Sequence, residues 1–283
     1  MTTLASAGPR PGPTLGRVIA AEWTKLLGLR SSIVVVVATV AVSGVLTYVS
    51  ANASSSDPGF DPLDSLTTGL PLAIIGPLVL GVLVGTGEFS TGVFRATFAA
   101  VPRRLPILAA QIVVTAGLAL LVAVLAVAAA VLGILPAAGS RGITPDLLSE
   151  GTPQVLIGSV AFLVGTALFG LAIGALLRRP VPALVAAIVI ALVLPVVLLL
   201  AVDLATDPLA ASAADGVPTR TAVVNTLITF TPIGAGSLLM TPGASGTDGA
   251  PDIGMPGAGL VLAAWVAVPL GVAALRLRRR DLA

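Results

Sequence analysis

The sequence contains no cysteine and no histidine among its 283 residues. Without cysteine it can form neither disulfide bonds nor thiolate metal sites. Without histidine it lacks the usual proton shuttle and the commonest transition-metal ligand. Catalysis by a Ser-His-Asp triad or a Cys-His pair is therefore excluded.

Charged residues are scarce as well. Only 10% of the residues are charged and the mean hydropathy is +1.07, whereas roughly 25% are charged in an average soluble domain. The apolar residues come in runs of about 20, the length that crosses about 30 Å of hydrocarbon. The sequence therefore predicts an all-α polytopic membrane protein, with residues 1–283 forming a single transmembrane domain.

Several functional signatures of membrane proteins and nucleotide-binding proteins are missing. No G-x-x-x-x-G-K-[ST] loop is present, so the chain has no usual means of binding ATP. No charged residue lies in the middle of an apolar run, where ion-coupled carriers usually need Asp, Glu or His. A ring of charge or a filter signature typical of an ion channel is also absent. These absences disfavour a carrier, a channel and an intramembrane enzyme, which would need paired carboxylates at depth.

Six apolar runs are long enough to span a membrane. Several carry proline, which a span tolerates where neighbouring helices satisfy the freed backbone groups. The fourth carries recurring glycines, which allow helix backbones to approach closely. The predicted spans cover about residues 33–49, 68–87, 105–135, 153–177, 181–202 and 257–275.

An amphipathic helix is predicted before the first span. Residues 1–13 are rich in Gly and Pro and are predicted to be disordered. In residues 15–30 the apolar residues recur at helical spacing, with Trp23 among them and Lys25 on the other side. Tryptophan with basic residues is typical of a membrane interface. Two alternatives stay open: a basic flank that only orients the first span, and a signal sequence cleaved after residues 51–53.

The basic residues predict the orientation of the chain. Residues 222–240 are apolar enough to be a seventh span, but seven spans would export the arginine-rich end of the sequence. With six spans both termini are cytoplasmic, and the positive-inside rule is obeyed. All basic residues except Arg141 and Arg220 then lie on the cytoplasmic side. Residues 222–240 are accordingly predicted to form an outer re-entrant segment between spans five and six.

The connection between spans two and three, residues 88–104, reads EFSTGVFRATFAAVPRR and is longer than a turn requires. As a helix it would place Phe89 and Phe94 near one face, able to enter a partner's groove. Glu88 would then favour the N-terminal end of the helix dipole. A loop that is only anchored at the interface is the alternative. The candidate partner-contacting residues are Glu88, Phe89, Gly92, Phe94, Arg95, Arg103 and Arg104.

Three stretches in this order resemble the permease subunits of ATP-binding-cassette (ABC) transporters of the type-2 exporter class, in particular short six-span actinobacterial subunits. Residues 21–31, AEWTKLLGLRS, resemble their N-terminal elbow helix; residues 87–104 resemble the segment after their second span; residues 278–281, RRRD, resemble their C-terminal ending. Residues 168–179 support the match, which covers essentially the whole chain. Gln111 departs from it, because a lysine is often found there.

The resemblance implies a non-enzymatic permease subunit without a cofactor of its own, in a bacterial plasma membrane. It implies a second permease copy, identical or similar, and two cytosolic ATPase subunits that bind ATP and magnesium; no nucleic acid is involved. Residues 88–104 would be the coupling helix, and the uncharged spans suit an apolar or amphipathic substrate such as a drug, an antibiotic or a lipid-like molecule. A non-transporting scaffold or assembly subunit is the alternative. The elbow-helix candidates are Glu22, Trp23, Lys25 and Arg30.

Overall fold

The computed structural model describes residues 14–28, 30–90, 105–149, 151–203, 219–241 and 249–281. Within these ranges the chain is helical, with short turns and no strand, as the sequence predicts. Residues 1–13, predicted to be disordered, lie outside the described residues, and so do residues 91–104 of the predicted coupling helix.

The helices follow one another along the described chain in the order of the apolar runs. A 3-10 turn at Pro62–Ser65 begins the segment of the second span, and a π-helical turn at Val189–Val193 interrupts the fifth. The α-helices are α1 (Leu15–Gly28), α2 (Arg30–Ser54), α3 (Leu70–Ala73), α4 (Ile75–Ser90), α5 (Leu105–Ser140), α6 (Thr152–Leu177), α7 (Pro180–Ile188), α8 (Leu194–Asp203), α9 (Thr219–Thr229), α10 (Pro232–Met240) and α11 (Gly254–Asp281).

Six segments are long and apolar enough to cross a membrane, and they coincide with the six predicted runs. Helices α9 and α10 meet at an angle of 83° and add a seventh span if the pair crosses as one. The chain is therefore a multi-pass membrane protein with six to seven candidate spans. The six segments are Arg30–Ser54, Pro62–Gly87, Leu105–Ser140, Thr152–Leu177, Pro180–Ala201 and Gly254–Arg278.

Proline and length explain two departures from simple spans. Pro195 has no N–H to bond the carbonyl of residue 191, and the π-helical turn Val189–Val193 lies directly before it. Helix α5 has 36 residues and is about 54 Å long at about 1.5 Å per residue. Because the hydrocarbon core is about 30 Å thick, α5 extends beyond it.

The second, third and fourth spans form the core of the bundle. The buried share is 61% for the second and fourth spans and 50% for the third, against 22% for each of the first, fifth and sixth. Helices α4, α5 and α6 are therefore the most buried spans, while α2, α7, α8 and α11 expose most of their surface at the periphery.

Glycines bring the backbones of α4 and α6 into direct contact. A Cβ atom added at Gly81 would lie 1.9 Å from the carbonyl oxygen of Ala167, and one added at Gly170 would lie 2.3 Å from that of Leu78. No side chain larger than hydrogen fits at either place. Lipid tails are as apolar as the helices, so close packing of this kind drives helix association in a membrane.

Helices α2 and α5 run in the same direction and also touch through small residues. The Ser43 hydroxyl donates to the carbonyl oxygen of Ala126 at 2.8 Å. Farther along both helices, a Cβ added at Gly133 would lie 3.1 Å from the backbone nitrogen of Tyr48. Because residue numbers rise together on the two helices, residues equally far from Ser43 and Ala126 lie at about the same depth.

We expect Gly81→Ala to destabilise the bundle by at least about 2 kcal/mol, because the new methyl group collides with the backbone of α6 rather than with a movable side chain. The midpoint of thermal unfolding in detergent measures this loss. Gly259→Ala on α11 is the matched control, since an added Cβ there meets no atom within 4 Å. Equal midpoints for the two variants would contradict the packing described for α4 and α6.

Candidate functional site

Helix α1 lies along the first half of α5. Its buried residues Val18, Glu22 and Leu26 recur every four residues and so form one stripe along the helix. Val18 belongs to a cluster with Ile107, near the start of α5, and Leu26 belongs to one with Val114, farther along. Helix α1 is therefore adjacent to the end of α5 at which the connection from α4 arrives.

The two sides of this buried stripe differ in character. At about 100° per residue, Trp23 and Leu27 lie on one side of the stripe, and both are exposed large apolar side chains. Arg17 and Lys25 lie on the other side. Helix α1 thus has a protein-facing stripe between an apolar side and a basic side, which is the residue pattern of an interfacial helix.

A carboxylate occupies the middle of the protein-facing stripe. The Lys25 Nζ atom lies 2.6 Å from Oε1 of Glu22, with the Lys25 side chain 45% exposed and the Glu22 side chain 9% exposed. The positive charge of Lys25 neutralises the buried Glu22 carboxylate from the solvent-exposed side. This pairing offsets most of the free-energy cost of burying the carboxylate. The apolar spacing in the sequence includes Trp23 and leaves out Glu22, whereas the structure buries Glu22 and leaves Trp23 exposed.

Two predicted helix boundaries differ from the structure. Arg30 is the first residue of α2 and not the last of α1, which ends at Gly28. Helix α4 is described as far as Ser90, so Glu88 and Phe89 continue the helix of the second span and do not begin a separate one. The other candidates, Gly92, Phe94, Arg95, Arg103 and Arg104, lie outside the described residues.

Two apolar clefts open on the surface of the bundle. One, of about 700 Å³, lies between α2 and the α3–α4 segment; the other, of about 580 Å³, lies between α5 and α6. Thr39 is the only hydroxyl residue lining either of them, and its hydroxyl donates to the carbonyl of Val35 at 2.7 Å. Neither cleft is lined by a charged side chain, so each suits an apolar occupant.

The break between α9 and α10 has its backbone groups satisfied. The Trp265 indole nitrogen donates to the carbonyl oxygen of Phe230 at 2.8 Å. The Thr231 hydroxyl accepts from the amide of Gly234 at 3.0 Å and so caps α10. Non-helical backbone is tolerated at membrane depth only where such partners exist. The indole also meets the ring of Phe169 edge-on, with 5.9 Å between centroids.

Sequence reasoning found neither the clefts nor the bond between Trp265 and Phe230. The bond and the clefts are formed by residues that are far apart in the chain, so no local sequence pattern predicts them. The signal that could have pointed to the bond is the TFTP sequence at residues 229–232, a proline-marked break in an apolar run. Among the described residues no group of three acidic side chains could hold a metal ion.

No protein-family model matches the chain, and no curated protein is significantly similar to it. Its function must therefore be inferred from its own residues and geometry, together with the resemblance of its motifs.

We expect Trp265→Phe to destabilise the α9–α10 break by about 0.5–1.5 kcal/mol, because the Phe230 carbonyl loses its donor while an aromatic ring remains against Phe169. Trp265→Leu should cost more, since the edge-on ring contact is lost as well. The midpoint of thermal unfolding in detergent measures both. A Trp265→Phe midpoint equal to that of the unaltered protein would show that the bond contributes nothing.

We expect Lys25→Met to loosen α1 from α5 by about 1–2 kcal/mol, between the values for exposed and for buried ion pairs, because the Glu22 carboxylate loses its partner. The chain has no native cysteine, so the disulfide yield between Val18→Cys and Ala110→Cys reports whether α1 is docked. Adding Glu22→Gln to Lys25→Met should restore most of the yield. If Lys25→Met leaves the yield unchanged, the pair does not hold α1 in place.

Proposed function

We propose that this chain is the membrane-spanning permease subunit of an ATP-driven ABC exporter, with ATP hydrolysed by separate cytosolic ATPase subunits. The observation that carries the proposal is the position of the α4–α5 hairpin. Its connection carries the predicted coupling residues, its two helices lie in the core of the bundle, and α1 lies beside its base. A force applied to the connection therefore reaches the core directly.

The proposed topology has six spans, both termini in the cytoplasm and α9–α10 as a re-entrant hairpin on the outer side. The basic residues favour this orientation by the positive-inside rule. The 83° bend fits a re-entrant hairpin as well as a broken span, and the positive-inside rule favours the hairpin because a seventh span would export the C-terminal arginines. The membrane is proposed to be the bacterial plasma membrane.

The proposed mechanism divides the bundle into a rigid unit and a mobile periphery. Helices α4 and α6 touch through their backbones, so they move together when the ATPases close on residues 88–104. The peripheral helices are only lightly buried by their own chain, which leaves surface for a second permease copy, identical or similar. Movement between the two copies would open the complex inward and outward in turn.

The proposed substrate is apolar or amphipathic, such as a drug, an antibiotic or a lipid-like molecule. The described spans carry no charged side chain at depth, and the two clefts are lined by apolar residues. A non-transporting scaffold or assembly subunit would share these apolar surfaces. It would not, however, require a charged connection joined to the core helices.

Affinity purification of the tagged chain from its native membrane in mild detergent tests the proposal. We expect an ATP-hydrolysing subunit to co-purify in stoichiometric amounts. If the intact chain retains no such subunit, the permease proposal fails and the scaffold alternative is favoured.

Reversing two charges in the connection tests its coupling role. We expect Glu88→Lys combined with Arg95→Glu to lower the retained ATPase activity at least about tenfold, because charge pairs across an interface become like-charge contacts. The amount of chain in the membrane should not change. Arg220→Glu is the matched control, since Arg220 is exposed and lies on the proposed outer side. Full retention of the ATPase by the doubly reversed chain would rule out the coupling role of these residues.

A further inference from the structure

A third, polar cleft lies at the connection between the first two spans, where α2 ends and the 3-10 turn begins. Its volume is about 300 Å³, and Phe60 is the one large apolar side chain among the described residues that line it. No basic side chain is among those residues. We call it the acidic cleft. Its polar lining includes Ser50, Asp57, Asp61, Asp64, Ser65 and Thr68.

The protein's own contacts hold the loop around the acidic cleft in place. Phe60 packs against a buried cluster that includes Ile134 of α5. The guanidinium group of Arg141, which follows α5, donates to the backbone carbonyl of Asp57 at 2.9 Å. Oδ1 of Asp61 accepts from the backbone amide two residues on, at 2.9 Å, and so caps the 3-10 turn. Because the lining groups are ordered in advance, a ligand loses little free energy in ordering them.

A buried hydroxyl group in the lining lacks a partner. Ser65 is only 5% exposed, yet its hydroxyl makes no hydrogen bond with the described residues. The hydroxyl of Thr47 is also unpartnered among those residues but is fully enclosed, whereas that of Ser65 remains open to the cleft that Ser65 lines. Buried hydroxyl groups in native proteins nearly always have a partner. The partner of Ser65 would therefore lie in the cleft.

The negative charge of the cleft is also uncompensated. The carboxylates of Asp57, Asp61 and Asp64 form no ion pair with the described part of the chain, where the ion pair is that of α1. Arg141 is bonded to a backbone carbonyl at the loop and not to one of these carboxylates. The cleft therefore combines a buried hydrogen-bonding group with three negative charges, and a cation that donates hydrogen bonds would satisfy both.

We propose that the acidic cleft binds a small organic cation that carries more than one amine, such as a polyamine. Ammonium groups only donate hydrogen bonds and ionised carboxylates only accept them, so the two match. The Ser65 hydroxyl accepts one further N–H, and the half-buried ring of Phe60 attracts a cation that lies over its face. The proposal does not depend on the proposed transport function.

The spread of the charges favours a polyamine over a metal ion. Among the described residues no group of three acidic side chains could hold one metal ion. A chain of several amines carries its charges at separate positions, as the three aspartates do. The headgroup of a zwitterionic lipid matches less well, because its phosphate would lie beside the same carboxylates and be repelled by them.

Titration calorimetry of the full chain in detergent at low salt tests the site, with spermidine as the probe. We expect saturable binding of one spermidine per chain, at least about tenfold tighter than that of ethanolamine, which has one amine. Added salt should weaken the binding, because the charges lie near the surface. The proposal is overturned if spermidine does not saturate, if ethanolamine binds equally well, or if an equal concentration of calcium displaces spermidine.

Asp61→Asn and its matched control Asp146→Asn separate the cleft from the acidic surface in general. In each aspartate Oδ1 accepts the amide two residues on at 2.9 Å, and asparagine keeps that acceptor while it removes the charge. Asp146 is exposed and does not line the cleft. We expect Asp61→Asn to weaken spermidine binding about threefold and Asp146→Asn to leave it unchanged. Equal effects of the two variants would contradict the proposal.

Ser65→Ala tests the buried hydroxyl group. We expect spermidine to bind about fivefold more weakly, because one hydrogen bond to a cation is lost. The midpoint of thermal unfolding without spermidine should stay the same, since the hydroxyl has no partner among the described residues to lose. An unchanged affinity for spermidine would show that the hydroxyl is only hydrated and that the proposed site is wrong.

Discussion

The contact between the backbones of α4 and α6 is the constraint on which the rest of the structure depends. Inside a membrane, helices gain nothing by leaving lipid for one another unless they approach closely. Gly81 and Gly170 make that approach possible, because a methyl group at either would overlap a carbonyl oxygen of the other helix. The paired helices then form a wall against which α5, α7, α10 and α11 pack.

Local adjustments of the backbone and polar contacts stabilise the irregular parts of the helices. The π-helical turn before Pro195 accommodates a missing N–H. The break between α9 and α10 is stabilised by the indole of Trp265 and the hydroxyl of Thr231. Glu22, the buried carboxylate of α1, is compensated by Lys25. The carbonyl of Phe230 and the carboxylate of Glu22 therefore each have a partner, as the low dielectric of a membrane requires.

The proposed function rests on which helices are more buried and which are less. Helices α4 and α5 belong to the more buried group, and the coupling role proposed for the connection between them rests on that position. The lightly buried peripheral helices have surface available for lipid and for another protein copy.

The number, type and approximate position of the spans could be predicted from sequence, because an apolar run of about 20 residues is typical of a membrane-spanning helix. The absence of cysteine, histidine and a nucleotide-binding loop likewise excludes disulfide bonds, histidine-based catalysis and the usual mode of ATP binding, and the sequence alone shows these absences. The face of α1 that packs could not be predicted: periodicity marks an apolar side of the helix, but only the position of α5 decides that Glu22 is buried and Trp23 exposed. The same holds for the pairing of Gly81 with Ala167, the bond from Trp265 to Phe230 and the cleft beside α2. These join residues distant in the chain, and their distances are set by how whole helices pack.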